Sequence, residues 1–202
     1  MYQALESTQP KCLWCLKEYN PYPNLASCLV PVNLLCQNCQ SRLNYQPRVF
    51  YMDKIPIYSL YRYDQEFSRL LIQYKEARDV VLAPVFLSGH IFELRKRYWN
   101  KAKILMPSSQ EKIKERGFNH LSLMYQDVFN NLESPYIKLS TRKQVGLSKS
   151  QRADIHFDLK QGVTSKSVVL LDDVITTGST FKEAIRLLPN KKIQCFSIAY
   201  KP

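Results

Sequence analysis

Apolar residues along the chain fall into short blocks whose spacing changes near residue 56. Residues 1–46 show little helical or strand periodicity and are broken by the turn formers Asn20-Pro21, Pro23-Asn24 and Pro31. Beyond that point Ile57-Tyr58-Ser59-Leu60-Tyr61-Arg62-Tyr63 reads as a strand, and Asp64 can cap a helix that carries Phe67, Leu70, Leu71 and Tyr74 on one face. A further helix is expected from Asp79 to Tyr98, apolar at first and ending in Arg95-Lys96-Arg97, where positive charge complements a helix C-terminus. Ala102–Met106 is a short strand, Pro107–Asn119 a polar and basic loop, and Leu121, Met124, Tyr125 and Val128 mark another helix. Tyr136–Leu139 reads as a strand, and residues 140–166 are polar without periodicity. Ser167-Val168-Val169-Leu170-Leu171 is a continuous apolar run of the kind buried on both faces of a sheet. A helix over Ser179–Leu188 and a strand over Lys192–Tyr200 follow. Strands alternating with helices predict an α/β domain with a mainly parallel sheet, here residues 47–202, behind a small module of residues 1–46.

With 202 residues, 45% of them hydrophobic, the chain can build one ordinary core plus an appendage. A formal charge of +12 favours polyanionic partners: nucleic acid, phosphorylated small molecules or an acidic membrane surface. The first ten residues lack a basic n-region and an apolar h-region, so no secretory signal is expected. The most apolar window, Val80–Phe92, is interrupted by Pro84, Gly89 and His90 and falls short of the roughly 20 residues that a spanning helix needs. The expectation is a cytoplasmic protein with no transmembrane segment.

In a reducing compartment, well-spaced cysteines point to metal rather than to disulfides. Cys12-x-x-Cys15 and Cys36-x-x-Cys39, with 20 residues between them, can bring four thiolates around one tetrahedral Zn²⁺. The metal would supply folding free energy that so small a segment cannot draw from its core, with Trp14, Leu34 and Leu35 packed around it. Buried or redox-active thiols without metal are the competing explanation. Cys28 could stand in as a ligand but reads more simply as a spectator, and Cys195 as a core residue.

The buried run at 168–171 is followed by Asp172-Asp173, which places two carboxylates at the carboxyl end of a parallel strand, where open α/β sheets bind ligands. Such acids can accept hydrogen bonds from both ribose hydroxyls. Thr176, Thr177, Gly178, Ser179 and Thr180 then form a turn entering a helix, so that backbone N–H groups, hydroxyls and the helix dipole can converge on one phosphate. The plainer explanation is a strand end followed by an N-cap. An acidic metal site of an NTPase is disfavoured because G-x-x-x-x-G-K-[ST] does not occur.

Residues 168–180 resemble the signature of type I phosphoribosyltransferases, in particular the ComF family of late-competence proteins, of the ComFC kind. Arg116-Gly117-Phe118-Asn119 is similar to that family's Arg-Gly-Phe-Asn segment, after Pro107-Ser108 at a strand end, and Tyr74-Lys75 with Asp79 resemble its Tyr-Lys stretch. His120 stands where the family has glutamine, and Ile155 where an asparagine is expected after Arg152. The resemblance implies that Asp172 and Asp173 bind ribose and that Thr176 to Thr180 hold the 5′-phosphate of phosphoribosyl pyrophosphate. It further implies that the loop with Pro107, Ser108 and Arg116 approaches pyrophosphate, and that an N-terminal zinc module precedes the domain. Lys112, Lys114 and Arg116 could neutralise a polyphosphate beside Mg²⁺, although surface lysines are by default solvated. His120 is a possible acid or base, but a lone loop histidine is by default incidental.

Three basic groups stand out: Arg95-Lys96-Arg97 with Lys101 and Lys103; Lys112, Lys114 and Arg116; and Arg142, Lys143, Lys149 and Arg152. With 13 tyrosines they could form a groove for single-stranded DNA. The expected function is a DNA-uptake factor of natural transformation that binds phosphoribosyl pyrophosphate and single-stranded DNA beside the ComFA-type helicase implied by the resemblance. The alternatives are an active phosphoribosyltransferase with an unidentified acceptor, for which the sequence offers no convincing acceptor pocket, and a metabolite sensor that couples the two ligands.

Overall fold

A computed structural model describes residues 9–21, 34–138 and 157–202. Its main sheet has six strands in the order β1-β2-β8-β7-β3-β4. The edge strand β1 (Tyr45–Met52) pairs antiparallel with β2 (Ile55–Arg62). Asp53 and Lys54 between them take φ of 49° and 70°, as a two-residue hairpin requires. The remaining neighbours are parallel: β2 with β8 (Lys192–Tyr200), β8 with β7 (Ser167–Ile175), β7 with β3 (Ala102–Leu105), and β3 with β4 (Leu132–Glu133). A small antiparallel pair, β5 (Tyr136–Lys138) and β6 (Phe157–Leu159), lies apart. This is the expected α/β architecture with a mainly parallel sheet.

The core follows from β7. Val168, Val169, Leu170 and Leu171 are all inaccessible although successive side chains point to opposite faces, so both faces of the sheet are covered. Each such side chain stabilises the fold by about 1.5–3 kcal/mol through its removal from water. A buried hydroxyl pair, Ser59 Oγ and Ser197 Oγ at 2.5 Å, satisfies itself between β2 and β8. Helix α2 (Gln65–Lys75) begins at Asp64, whose Oδ1 accepts the N–H groups of Glu66 and Phe67, and buries the anticipated face of Phe67, Leu70, Leu71 and Tyr74.

Two expected elements differ. The single helix over Asp79–Tyr98 is instead a 3₁₀ segment at Val80–Phe86, a short one at Ser88–His90, and then the helix α3 (Ile91–Arg97). Pro84 has no N–H to continue an α-helical ladder, and its ring crowds the preceding turn. The loop over Pro107–Asn119 contains the helix α4 (Gln110–Arg116), which Gly117 closes at φ 85°. None of its seven residues buries an apolar side chain, so there is no apolar stripe to read. Helix α5 (His120–Tyr125) starts from Asn119, whose side chain accepts Ser122 N–H, and α6 (Ser179–Arg186) follows the glycine turn. Among the described residues no helix is long and apolar enough to cross a membrane.

Candidate functional site

β7 runs beyond its apolar stretch to Ile175, which carries Asp172 and Asp173 to the carboxyl end of the sheet. There they line a cavity of about 250 Å³ together with Pro107, Ser108, Arg116, His120 and Thr180. Both residues anticipated for ribose, the three anticipated for pyrophosphate, and Thr180 of the anticipated phosphate turn thus meet at one cavity, which Thr177, Gly178 and Ser179 do not line. Lys112 also lines it; Lys114 lies exposed on α4. Arg116 is largely buried and ion-paired with Glu76 at 2.6 Å.

Asp173 Oδ1 accepts the Val174 N–H at 2.7 Å, and two side chains meet its other oxygen. Lys75 Nζ, at the end of α2, forms an ion pair with its Oδ2, and His120 Nε2 lies 3.3 Å from the same oxygen. Ser108 Oγ sits 3.4 Å from His120 Nδ1, and Tyr74 donates its hydroxyl to the His120 carbonyl at 2.7 Å. Burial acts to raise the Asp173 carboxyl, but the Lys75 ammonium and the His120 ring outweigh it and hold the group well below the usual carboxylate range. The Asp172 carboxyl is pushed the other way, by burial first and then by the charge of Asp173. The two carboxyls are therefore pushed in opposite directions, Asp173 toward the acceptor-only carboxylate and Asp172 toward holding its proton. Such a pair suits a diol, whose hydroxyls need both kinds of partner.

The turn at 176–180 is built around Gly178, at φ 74°. A Cβ there would lie 2.7 Å from the sulfur of Met52, at the end of β1, so a side chain is opposed by backbone conformation and would have to push the flexible Met52 thioether aside. Thr177 Oγ1 donates to Ser179 Oγ at 3.1 Å and accepts Ser179 N–H at 3.4 Å, while Lys182 N–H bonds back to Gly178 O at 2.9 Å. The helix ladder begins at that last bond, so beyond Ser179 the N–H groups of Thr180 and Phe181 remain available to an anion. Thr176 lies instead on a neighbouring cavity of about 360 Å³, lined also by Arg48, Phe50, Tyr200 and Lys201.

Two residues escaped the sequence reading. Lys75 was noticed within a similar stretch without a role, and His120 reads as incidental until the fold sets it against Asp173. The one available signal for His120 was its departure from the family's glutamine.

The four paired cysteines converge, with their sulfurs within 4.8 Å of one another. Cys15 Sγ and Cys36 Sγ are 3.8 Å apart, close to the roughly 3.8 Å between ligands of a tetrahedral zinc with about 2.3 Å bonds. The donor set and spacing fit such an ion, which Cys12, Cys15, Cys36 and Cys39 could hold. The two knuckles are joined by Leu13 N–H to Leu34 O at 3.0 Å. Helix α1 (Gln37–Arg42) follows Cys36 directly, and its Arg42 lies over Trp14 and donates Nε to Glu66 of α2 at 2.6 Å. Cys195 is a buried residue of β8; Cys28 lies outside the described residues. Mg²⁺ has a different fit. Lys75 already supplies the cation at Asp173, so a magnesium ion would be held mainly by a ligand's phosphate oxygens and water.

Of the basic groups, Arg142, Lys143, Lys149 and Arg152 lie outside the described residues. On α3 and the turn after it, Phe92 and Trp99 are 81% and 77% exposed beside Arg95 and Lys96. Arg95 is oriented by the carbonyls of Asp127 and Val128, and Lys103 reaches the Trp99 carbonyl at 3.4 Å. Among the described residues, Arg97 is the cation of this group with a carboxylate partner, Glu93 at 3.4 Å.

Residues 126–200 match the phosphoribosyl transferase domain. The chain is 30% identical over 138 residues to the competence protein ComFC of Bacillus subtilis, covering 66% of this chain and 58% of that protein. It is 26% identical over 182 residues to the competence protein ComFC of Streptococcus pneumoniae, covering 87% of this chain and 80% of that one. The match to the Bacillus protein thus spans less than two thirds of that protein's length. Among solved structures, a hypoxanthine phosphoribosyltransferase from Staphylococcus aureus aligns with a TM-score of 0.38 at 16% identity, over 61% of this chain and 65% of that chain.

Proposed function

We propose that this chain, a ComFC-type phosphoribosyltransferase-like protein, is a cytoplasmic competence factor that binds phosphoribosyl pyrophosphate at the carboxyl end of β7 and single-stranded DNA on a separate basic face. The observation that carries the first part is the single cavity shared by Asp172, Asp173, Ser108, Arg116 and Thr180. The acids would hold the ribose hydroxyls, the 176–180 turn the 5′-phosphate, and Ser108, Lys112 and Arg116 the diphosphate, which Mg²⁺ would accompany. Calorimetry with phosphoribosyl pyrophosphate and Mg²⁺ tests this: heat of binding is expected for the wild type and none for an Asp172→Ala, Asp173→Ala double variant. Equal heats, with both proteins folded, would end the reading.

Support for DNA binding comes from Phe92 and Trp99, two exposed rings beside Arg95 and Lys96, which have no carboxylate partner among the described residues. Aromatic platforms beside positive charge suit unstacked bases and their phosphates. Binding of an oligothymidylate, followed by anisotropy, should weaken steeply with salt. A partnership with a ComFA-type helicase during natural transformation belongs to the same proposal and rests on the relatives.

A second reading, catalysis of phosphoribosyl transfer, is favoured by one observation. The cavity beside Thr176 has aromatic walls, Phe50 and Tyr200, and two cations, Arg48 and Lys201, which would suit a planar acceptor. Pyrophosphate release in the presence of candidate bases decides it; release at the background rate would leave binding as the function.

A further inference from the structure

His120 is tied on both sides of its ring. Nε2 lies 3.3 Å from the ionised Asp173, so that nitrogen carries the hydrogen, and the neutral ring leaves Nδ1 bare as the acceptor for the Ser108 hydroxyl at 3.4 Å. In this arrangement Ser108 spends its one proton on the imidazole and offers only lone pairs to the cavity. A diphosphate, itself all acceptors, would meet an unfavourable partner in the residue nearest its expected place.

We propose that entry of a diphosphate drives uptake of one proton by His120 at Nδ1, which then donates to Ser108 and frees the serine hydroxyl to turn its hydrogen onto a phosphate oxygen. The proton comes from solvent, no covalent bond is made or broken, and the site gains one positive charge and one donor against the incoming anion. The inference rests on the reading of this cavity as the diphosphate site.

The charges facing the ring account for both states. Asp173 of β7 favours the imidazolium, with Asp172 behind it; Lys75 of α2 and Arg116 of α4 oppose it, and Lys112 of α4 lines the same cavity. The Val80–Phe86 segment packed against α5 brings no titratable group. Burial is the largest influence, followed by the Asp173 bond that opposes it, and the outcome is a ring held below its ordinary value in the free protein. A polyanion a few ångströms away shifts that balance toward the charged form. Glutamine at this position could give Asp173 the same N–H and could not take a proton, so the coupling is specific to histidine.

The test is calorimetry with inorganic pyrophosphate, without Mg²⁺, in two buffers of different ionisation enthalpy near neutral pH. It compares the wild type, His120→Gln and Ser108→Ala. The glutamine variant reports the ligand's own titration. Wild type is expected to take up more protons than His120→Gln, approaching one extra, and to gain affinity over it by up to about tenfold per pH unit as pH falls. Ser108→Ala should keep the extra proton and bind more weakly. Equal proton uptake by wild type and His120→Gln overturns the inference and leaves the diphosphate site standing. Failure of the wild type to bind pyrophosphate removes both. Should His120→Gln not fold, nitrogen NMR of the wild type gives the same answer, because the chain has 3 histidines to resolve. The His120 Nδ1 signal must move to its protonated position on adding pyrophosphate, and an unmoved signal overturns the inference.

Discussion

Asp173 joins a cation, an imidazole and the cavity through one carboxylate, and its replacement has an asymmetric cost. Asp173→Ala strands the Lys75 ammonium, 16% exposed, and should lower stability by about 3–5 kcal/mol in denaturant titration. A Lys75→Met, Asp173→Leu double variant removes both charges and should recover part of that loss, because no unpaired charge then stays buried. Gly178→Ala should cost about 1–2 kcal/mol from its left-handed backbone, and more from contact with Met52. Adding Met52→Ala should return the steric share only, leaving a residual deficit in the melting midpoint. The half-buried His90 and the buried His120 are both held below the ordinary histidine value, by burial first, and so make stability depend on pH. A lowered folded value means that the unfolded chain binds more protons in the window beneath about pH 6.5. Their contribution is therefore complete above that pH and is lost as pH falls below it. Denaturation midpoints at pH 7.5 and 5.5 should differ for the wild type, and by less for His120→Gln.

Elements with a strong periodic signature were legible in the sequence, and those set by backbone chemistry were less so. The α2 stripe and its Asp64 cap appear where Phe67, Leu70, Leu71 and Tyr74 place them, and β8 occupies the expected Lys192–Tyr200. Asp64→Ala should cost about 1 kcal/mol of stability and leave pyrophosphate affinity unchanged, which separates the cap from the site. The edge strand β1 was missed because Tyr45, Val49 and Tyr51 are exposed while Pro47 and Arg48 interrupt any alternation. Pro84 was noted as a break in a membrane span and not as one in a helix, which hid the 3₁₀ segment. At the site, Asp172, Asp173 and the glycine turn are contiguous in sequence and could be read together. Lys75, Ser108 and His120 meet only through the parallel crossovers, which no local pattern encodes.

At the scale of the molecule, four converging cysteines that could hold a metal stand beside a sheet whose strands β7 and β8 are deeply buried. Sulfurs within 4.8 Å of one another predict about one zinc released per chain on thiol titration, and Cys39→Ser should abolish most of that release. Chelation should unfold the module at low denaturant while the β7–β8 core persists to higher denaturant, seen as two transitions in place of one. A single transition at the original midpoint after full metal removal would contradict the assignment.

Twelve residues separate Cys39 from Met52, and the short stretch of backbone between them is continuous helix, bend and edge strand. The sulfur of Met52 lies against Gly178, so the cysteine cluster and the glycine turn are two ends of one strut. If the cysteines hold an ion and the turn a sugar phosphate, loss of the ion should be felt as a slackened grip without any disturbance of the groups that touch the ligand, and oxidation of that methionine should loosen the grip from the far end while leaving the ion in place.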